Sequence, residues 1–516
     1  MSISEQGLSE IEHQRLERST FDLRKYFVLC HLQSELLGSE SAITKRTLSR
    51  GSCIAGTMIT GRDEGSEDDG GGLTMIPYSE KATCFILLVF TWASLLTPCI
   101  GQDSSMFRAD AQHSGVYQAS GPRSLAGLKW KFNAGGELYA SPTAADGMIF
   151  IGSTNGDFFA VDQETGKQKW KFITKGRIVS SAAVVSGTVY FVSYDSCFYA
   201  LNESDGKLKW KFSTEGEKRF NAKHIHGMEP ANELMPDPFD FYLSSPVVVN
   251  GEVYFGSGDG NVYSLDASTG RLKWTFHTGD VVHASPAVSD GILYVGSWNT
   301  FFYAIDSSTG NLVWRFKTGE DPKIHNQIGI QSSAAIADGV VYFGCRDSNL
   351  YALDARTGKQ RWVYNNAGSW VIGSPAVKDG QVYFTTSDSA LLHALDAKSG
   401  KELFSIGMKW PMFSSPALAG DMLYIGSHEG KLFAVNLRDH SIAWIFQTDG
   451  SRKYGSIYTT KDGRPAYEVA MQTFFYDDVV AGIQKMFTVG AILSSPIVLD
   501  HIVVFGSADG NLYAVY

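Results

Sequence analysis

Residues 213–243 contain side chains of the types that bind divalent metal ions. Imidazole nitrogens and carboxylate oxygens are common protein ligands of such ions. The segment supplies them as His224, His226 and Glu229. Their spacing matches no established metal motif, so solvent-exposed or capping histidines are the simpler interpretation, and a metal site is the alternative. The same segment also holds Asp237, Phe239 and Asp240.

Residues 317–331 form a second group, which is rich in hydrogen-bond donors. Lys323, His325 and Asn326 could bind an anionic ligand or the polar groups of a cofactor, although solvent exposure explains them equally well. Other candidates for the same site are Arg346, His283, Trp370 and Trp410. An indole ring could stack on a flat cofactor, but packing in the core is the simpler interpretation of the two tryptophans.

Residues 447–493 are the longest stretch between two recognisable repeats. The stretch holds basic residues, including Arg452 and Arg464, and then an apolar group that includes Phe474 and Phe475. We predict that it contains a short helix. Long loops of this kind are usually functional or disordered, so the stretch could serve as a lid or as a surface for a partner.

The composition restricts the classes of protein to which the chain can belong. It has 516 residues, 53 of them glycine, with 13% aromatic and 19% charged residues. This mixture favours short strands and tight turns, and it excludes collagen, a coiled coil and disorder throughout the chain. The net charge is -10 and no segment is strongly basic, so we expect no nucleic-acid partner. The six cysteines show no zinc-site spacing.

An export signal lies far from the first residue. Lys81 precedes an apolar run over residues 84–96, and small residues follow it. This pattern is typical of a signal peptide over residues 75–101, and the run is short for a membrane span of about 20 residues. We therefore predict that translation starts at Met75. The alternative is a disordered leader over residues 1–74 with a signal anchor. A lipid anchor on Cys99 is disfavoured, because Pro98 stands where a lipid-attachment motif has a small residue.

The remaining chain, residues 102–516, is built from one repeated unit. A tryptophan in a Lys-x-Trp-x-Phe-like sequence recurs, mostly every 40 to 48 residues, and Phe404 replaces it once. The tryptophans are Trp130, Trp170, Trp210, Trp274, Trp314, Trp362 and Trp444. A Ser-Pro or Ser-Ala step that opens an apolar run occurs eight times, at Ser141, Ser181, Ser245, Ser285, Ser333, Ser374, Ser415 and Ser495.

Each unit is predicted to form four antiparallel strands. Alternating aliphatic and aromatic residues are typical of half-buried strands, and dipeptides such as Asp290-Gly291 favour two-residue hairpin turns. Four-stranded units at this period indicate an all-β, eight-bladed β-propeller. The last unit ends at Tyr516 without its fourth strand, and the strand around Trp130 has no blade of its own. We therefore predict that this N-terminal strand completes blade eight and closes the ring.

The repeat resembles that of the pyrroloquinoline-quinone (PQQ) propeller family. The consensus A-x-D-x-x-T-G-x-x-x-W is matched by Asp266, Thr269, Gly270 and Trp274, and the resemblance covers essentially all of residues 102–516. It weakens in blade six, which has phenylalanine in place of tryptophan, and in blade seven, which lacks Thr-Gly. We expect these repeat residues to be architectural.

The resemblance implies one of two functions. Quinoprotein alcohol dehydrogenases of this family hold PQQ and a divalent cation over the propeller axis, with a disulfide between adjacent cysteines. The propeller lipoprotein of the outer-membrane β-barrel assembly machinery acts through protein contacts. This chain has no adjacent cysteines. We therefore expect an exported, monomeric, non-enzymatic binding or scaffold protein that is periplasmic or secreted. A dehydrogenase with PQQ and calcium at the axial mouth is the alternative.

Residues 213–243, 317–331 and 447–493 belong on one face of the propeller. Each stretch links the outermost strand of one blade to the innermost strand of the next, and such links cross the mouth of the central channel. Functional residues are found more often on loops of this kind than on the repeat. We expect a protein partner or a small ligand to bind at this face, and membrane association only through a lipid anchor or an uncleaved signal.

Overall fold

The computed structural model describes residues 105–319 and 329–516, which form eight blade sheets and one separate two-stranded hairpin. Seven sheets have four consecutive strands each; blade seven gains a short fifth strand, and blade eight combines both ends of the described chain. The innermost strands of neighbouring sheets contact one another around a central axis. The predicted all-β, eight-bladed β-propeller of four-stranded blades is therefore confirmed.

Each blade has four strands that follow one another from the axis outwards. In blades one to eight, the innermost strands are Thr143–Ala145, Ala183–Val185, Val247–Val249, Ala287–Ser289, Ala335–Ala337, Ala376–Lys378, Ala417–Ala419 and Ile497–Leu499. The second strands are Met148–Gly152, Thr188–Ser193, Glu252–Gly256, Ile292–Gly296, Val340–Gly344, Gln381–Thr385, Met422–Gly426 and Ile502–Gly506. The third strands are Asp157–Asp162, Cys197–Asn202, Asn261–Asp266, Phe301–Asp306, Asn349–Asp354, Leu391–Asp396, Lys431–Asn436 and Asn511–Val515. The outermost strands are Gln168–Ile173, Leu208–Ser213, Leu272–His277, Leu312–Lys317, Gln360–Asn365, Glu402–Gly407, Ser441–Gln447 and Leu128–Asn133.

Short-range bonds at the turns make each repeat fold in the same way. In blade four, Asp290 and Gly291 have φ angles of 51° and 74°, a left-handed conformation that aspartate tolerates and glycine adopts freely. The turn before the outermost strand depends on Asp306, whose Oδ1 accepts hydrogen bonds from the amide and the hydroxyl of Thr309, both at 2.9 Å. Because these bonds are local, the dipeptides and the aspartates predict the turns well.

The repeated tryptophan joins its blade to the next one. The Trp274 indole donates a hydrogen bond from Nε1 to the Ser307 carbonyl (2.9 Å), across the boundary between blades three and four. A Cβ at Gly310 would lie 2.7 Å from the same indole, so the close approach of the ring requires glycine there. Tryptophan and glycine in neighbouring repeats are thus one packing unit.

The N-terminal strand completes blade eight, as predicted. Leu128–Asn133 pairs antiparallel with Asn511–Val515. The Tyr516 carbonyl accepts hydrogen bonds from the amides of Ala126 (2.7 Å) and Gly127 (3.1 Å), and the Tyr516 amide donates one to the Gly127 carbonyl (3.1 Å). These bonds join the two ends of the propeller and close the ring.

The eight serines of the Ser-Pro and Ser-Ala steps form a closed hydrogen-bonded ring around the axis. Each serine amide donates a hydrogen bond to the hydroxyl of the serine in the next blade, at 2.8 to 3.2 Å. The bond from Ser495 to Ser141 (2.8 Å) returns to the first blade. The sequence predicts these serines only as strand starts, whereas their hydroxyls also link every blade to its neighbour.

Residues 105–117 run across the channel beside the innermost strands. Their carbonyls accept hydrogen bonds from innermost-strand amides of blades two, four, five, six and seven. Val116–Tyr117 adds the fifth, parallel strand to blade seven. The buried guanidinium of Arg108 donates to the carbonyls of Pro375 (3.0 Å) and Pro416 (2.5 Å). This path is not predicted by the repeat, because the segment precedes it.

The long links contain short elements of their own. Residues 213–243 contain a two-stranded hairpin and a 3-10 turn, formed by Asn221–Lys223 with Leu234–Pro236 and by Ile225–Gly227. Residues 447–493 contain three helices where one short helix was predicted: α1 (Asp449–Tyr458), α2 (Tyr467–Ala470) and α3 (Tyr476–Phe487). Within the described residues, no helix combines the length and the apolar character needed to cross a membrane.

Several predictions concern the part of the chain outside the described residues. These are the leader over residues 1–74, the signal peptide over residues 75–101 and the start of the mature chain at residue 102. Cys197 and Cys345 lie in the described part and both are free thiols.

Candidate binding site at the axial mouth

The first and third long links contact each other over the mouth of the channel. The Glu229 amide donates a hydrogen bond to the Phe474 carbonyl (3.1 Å), and the Tyr476 amide donates one to the Glu229 carbonyl (2.8 Å). Below this bridge, the rings of Phe241 and Phe487 lie 5.3 Å apart. The two links therefore form one structure, which we call the insertion face: residues 213–243 and 447–493.

Aromatic side chains fill the mouth under the insertion face. Tyr139, Phe241, Phe413 and Phe487 are all buried and belong to one apolar cluster. Their ring centroids lie 5.3 to 6.1 Å apart, in tilted and edge-to-face contacts. Side chains of the chain itself therefore occupy the place where a ligand was expected.

A small axial cavity lies between this aromatic layer and the N-terminal segment. It holds about 40 Å³ of space for water-sized molecules and is lined by all eight ring serines. Phe107 of the N-terminal segment borders it, and so do Tyr242 and Phe413 of the aromatic layer. The cavity is thus bordered at both ends of the channel by the protein's own residues.

Arg346 lies at the centre of the polar part of the mouth. Its buried guanidinium sits 4.4 Å from the ring centroid of Trp298 and 4.5 Å from that of Trp370. Nη1 donates a hydrogen bond to Asp237 (2.6 Å), while Nε and Nη2 donate to the Gln331 side-chain oxygen (3.2 and 2.7 Å). Buried charges persist in proteins when they are paired in this way.

Asp237 connects this arginine to His226. The His226 Nε2 lies 3.0 Å from the Asp237 Oδ2. Burial alone would raise the pKa of Asp237, but the charges of Arg346 and His226 outweigh burial and hold that pKa below its ordinary value. The carboxylate is therefore ionised, and it joins residues 213–243 to blade five.

A second buried cluster surrounds His283. Its Nδ1 lies 2.8 Å from the Asp240 Oδ1, and its Nε2 lies 3.1 Å from the Glu217 Oε1. Burial opposes protonation, but the two carboxylates outweigh it and raise the pKa of His283 to about 10. The imidazolium thus holds both ends of residues 213–243 against blade four.

The two candidate tryptophans, Trp370 and Trp410, are buried. Trp370 is 6% exposed and is flanked by Arg346 and by His226, whose ring centroid lies 5.1 Å away. Trp410 is 1% exposed and packs in a small apolar cluster with Met486 of α3. A flat cofactor such as PQQ needs an open indole face to stack on, so the described residues of the mouth do not fit that group.

The candidate metal ligands His224, His226 and Glu229 face different surroundings. His224 is exposed, whereas His226 is buried against Asp237. Glu229 uses its carboxylate to accept a hydrogen bond from the Ala231 amide (2.7 Å). Residues 105–319 and 329–516 contain no group of three His, Cys, Asp or Glu side chains placed to hold a metal ion.

Lys323, His325 and Asn326 lie outside the described residues, so their candidate role stays a prediction. The residues that the structure does bring together are His226, Asp237, Asp240, His283, Gln331 and Arg346. His226, His283 and Arg346 were candidates by residue type, and Asp237 and Asp240 were noted in the same long link as His226. Their pairing was not predicted, because no regular spacing relates residues of different blades.

A family model described as outer membrane protein assembly factor BamB, of the PQQ_2 type, matches the chain three times. The matches span residues 126–231, 228–369 and 365–515, which together cover more than half of the sequence. A search of curated proteins finds no significant match.

Solved structures with the same fold include a BamB protein and two dehydrogenases. BamB from Moraxella catarrhalis is 14% identical with a TM-score of 0.53, and the alignment covers 75% of this chain and 97% of that one. A europium-containing methanol dehydrogenase is 14% identical with a TM-score of 0.58, covering 80% and 98%. Quinohemoprotein alcohol dehydrogenase from Comamonas testosteroni is 14% identical with a TM-score of 0.59, covering 80% of each chain. At this identity the likeness shows the fold.

Proposed function

Because this chain belongs to the PQQ_2 propeller family whose model is described as outer membrane protein assembly factor BamB, we propose that it is an exported, non-enzymatic binding protein. A protein partner docks on the insertion face. The observation that carries this proposal is the filled axial mouth, in which Phe241, Phe413 and Phe487 take the space that a small substrate would need.

Exposed apolar side chains on the insertion face support a protein partner. Leu234 is 66% exposed, Ile457 and Val469 are each 51% exposed, and Phe475 is 45% exposed. All four lie on the two links that contact each other over the mouth. Apolar side chains gathered on one face are typical of protein interfaces, where they lose contact with water on binding.

The expected location is the bacterial envelope. The predicted signal peptide over residues 75–101 supports export, and the family description names an outer-membrane assembly factor. Export would place the insertion face where envelope partners can reach it.

Site-specific cross-linking tests the docking proposal. A photoreactive phenylalanine analogue replaces Phe475 or Val469 in cells that produce the full chain. The matched control carries it at Ile173, which is 65% exposed on the outermost strand of blade one. We expect one and the same partner at residues 475 and 469 and none at residue 173. Equal cross-linking at all three positions, or none at residue 475, would contradict the proposal.

The alternative is a PQQ-dependent dehydrogenase, and the likeness to two dehydrogenase structures favours it. Calorimetric titration of the purified protein with PQQ, with and without calcium, separates the two functions. We expect no saturable binding and no dye-coupled alcohol oxidation. Calcium-dependent binding with turnover would replace the docking proposal by the enzymatic one.

A further inference from the structure

Two half-buried arginines at the mouth form no ion pair with the residues that the structure describes. Arg177 lies on the link between blades one and two, and Arg219 lies on the first long link. The other half-buried or buried arginines of the described residues donate to a carboxylate or to backbone carbonyls, as Arg346 and Arg108 do. A guanidinium that is partly removed from water normally acquires a partner, because its charge is costly to desolvate.

Both arginines lie beside the same two tyrosines. The Arg177 guanidinium carbon is 4.6 Å from the ring centroid of Tyr194. Burial raises the pKa of Tyr139 and of Tyr194, and the charges of Arg177 and Arg219 act against that rise at both tyrosines. Phe220, next to Arg219 in the chain, donates its amide to the Asp240 carboxylate at His283 (3.0 Å), and the Tyr194 ring centroid lies 6.3 Å from that of His283. Both arginines therefore lie beside the His283 cluster.

Two hydrogen-bond donors in this region are buried without an acceptor. The Tyr194 hydroxyl and the Arg219 Nε have no hydrogen-bond partner among residues 105–319 and 329–516. Buried donors are usually paired in folded proteins, so the Tyr194 hydroxyl and the Arg219 Nε favour a bound acceptor. Arg177, Arg219 and Tyr194 can all donate hydrogen bonds to one negatively charged acceptor.

The nearby carboxylates do not pair with the two arginines. Glu217 and Asp240 hold His283 between them, and Glu137, beside Tyr139, accepts a hydrogen bond from the Thr154 hydroxyl (3.3 Å). Asp195 accepts hydrogen bonds through Oδ2, from the Tyr199 hydroxyl (2.7 Å) and the Lys175 amide (3.0 Å), and its Oδ1 is buried with no partner among the described residues. None of these four carboxylates forms an ion pair with Arg177 or Arg219, so the two guanidiniums keep their hydrogen-bonding capacity.

From these contacts we infer that Arg177, Arg219 and Tyr194 form a binding site for an oxyanion. Guanidinium groups donate paired, charge-assisted hydrogen bonds to carboxylate, sulfate and phosphate oxygens, and the phenol adds a third donor. The oxyanion is either a free ion or the carboxylate of a docked protein; only the second source rests on the proposed function.

Selenate tests the site in the unmodified protein, because it mimics sulfate and scatters anomalously. We expect an anomalous peak within hydrogen-bonding distance of Arg177, Arg219 and the Tyr194 hydroxyl. Calorimetric titration with sulfate should show about ten- to hundredfold weaker binding for Arg177→Gln and for Arg219→Gln. The control Arg356→Gln removes an exposed arginine on a blade-five turn, which forms no ion pair within residues 105–319 and 329–516, and should bind as the wild type does.

A peptide separates the two sources of the oxyanion. Acetylated tetraglutamate amide is titrated into the same four proteins. Binding of the peptide but not of sulfate, lost in both arginine variants, would assign the site to a partner carboxylate. Binding of sulfate or selenate at the site would assign it to a free ion. If neither sulfate nor the peptide binds, or if both arginine variants bind as the wild type does, the inference is wrong. The cross-linking result at residue 475 would be unaffected.

Discussion

His283 shows how one side chain can join a long link to the propeller. Its imidazolium is held between Asp240 and Glu217 at 2.8 and 3.1 Å. The buried His428 behaves in the opposite way, because burial lowers its pKa to about 3. The difference arises because His283 faces two carboxylates, whereas His428 lies against the aromatic rings of Phe413 and Phe487.

The stability that His283 contributes should fall as the pH rises. Its folded-state pKa of about 10 lies above the unfolded value of about 6.5. The contribution is therefore complete below pH 6.5 and is lost as the pH rises through 10. We expect the difference in unfolding free energy between the wild type and His283→Gln to shrink by a few kcal/mol (about 1.4 kcal/mol per pKa unit) between pH 7 and pH 10. Calorimetric unfolding of both proteins at several pH values measures this difference in unfolding free energy.

His428→Gln is the control, because the contribution of His428 to the unfolding free energy should change with pH in the opposite direction. The folded-state pKa of His428 lies below the unfolded value, so its contribution is lost as the pH falls from 6.5 towards 3.

NMR titration adds a direct measurement, in which the His283 ring should remain protonated at pH 8. A neutral ring at that pH would contradict the buried ion pair.

At the scale of strands and turns, the two departures from the repeat compensate each other. Phe404 stands in the tryptophan position of blade six, and His440 stands in the glycine position of blade seven. The two rings stack, with centroids 3.8 Å apart and planes 17° apart. His440 has a φ of 58°, the left-handed conformation that glycine adopts at this turn in other blades. The smaller phenylalanine ring leaves room for the imidazole.

Restoring one half of this pair should destabilise the protein. In blades that have tryptophan and glycine at these positions, a Cβ on the glycine would clash with the indole. At Gly400 it would lie 2.6 Å from the Trp362 ring. Phe404→Trp should therefore clash with His440 and cost about 1–3 kcal/mol of unfolding free energy. The double change Phe404→Trp with His440→Gly should recover most of that loss. A double-mutant cycle followed by urea unfolding measures the coupling.

The reciprocal exchange at blade boundary five–six is the matched control. Gly400→His should destabilise the standard pair, and adding Trp362→Phe should restore part of the stability. Additive effects in both cycles would show that the stacked rings do not determine each other's identity.

At the scale of the whole molecule, the ring depends on bonds between distant parts of the chain. Leu128–Asn133 supplies the outermost strand of blade eight, and the serine ring returns from Ser495 to Ser141. The N-terminal segment over residues 105–117 adds bonds to five innermost strands. Closure therefore involves three separate elements and not the outermost strand alone.

Removal of the closing elements should open blade eight. A chain that starts at Ala134 would leave the Asn511–Val515 strand as an unpaired edge, which favours association between copies. We expect this chain to self-associate in sedimentation velocity, whereas a chain that starts at Ser105 stays monomeric. A synthetic peptide of residues 105–133 should restore the monomer. A monomeric truncated chain with an unchanged thermal midpoint would contradict this account of closure.

The fold could be predicted almost completely from the sequence, because its determinants are local and repeated eight times. The Asp290-Gly291 turn depends on its own backbone angles, and the bonds of Asp306 to Thr309 span three residues. Counting the repeats then required the strand around Trp130 to complete blade eight. The hydrogen-bonded ring of serines could not be predicted in this way, because each bond joins two neighbouring blades and no pattern within a single repeat indicates it.

The mouth could be predicted only as a list of candidates, because its contacts join residues that no period relates. Arg346 and Asp237 are 109 positions apart, yet their side chains lie 2.6 Å from each other. His224 and His226 are near neighbours, yet one is exposed and the other is buried. Short-range sequence patterns thus determine strands, turns and blade number. Which long-link side chains become buried and paired depends on how the blades bring those links together in space.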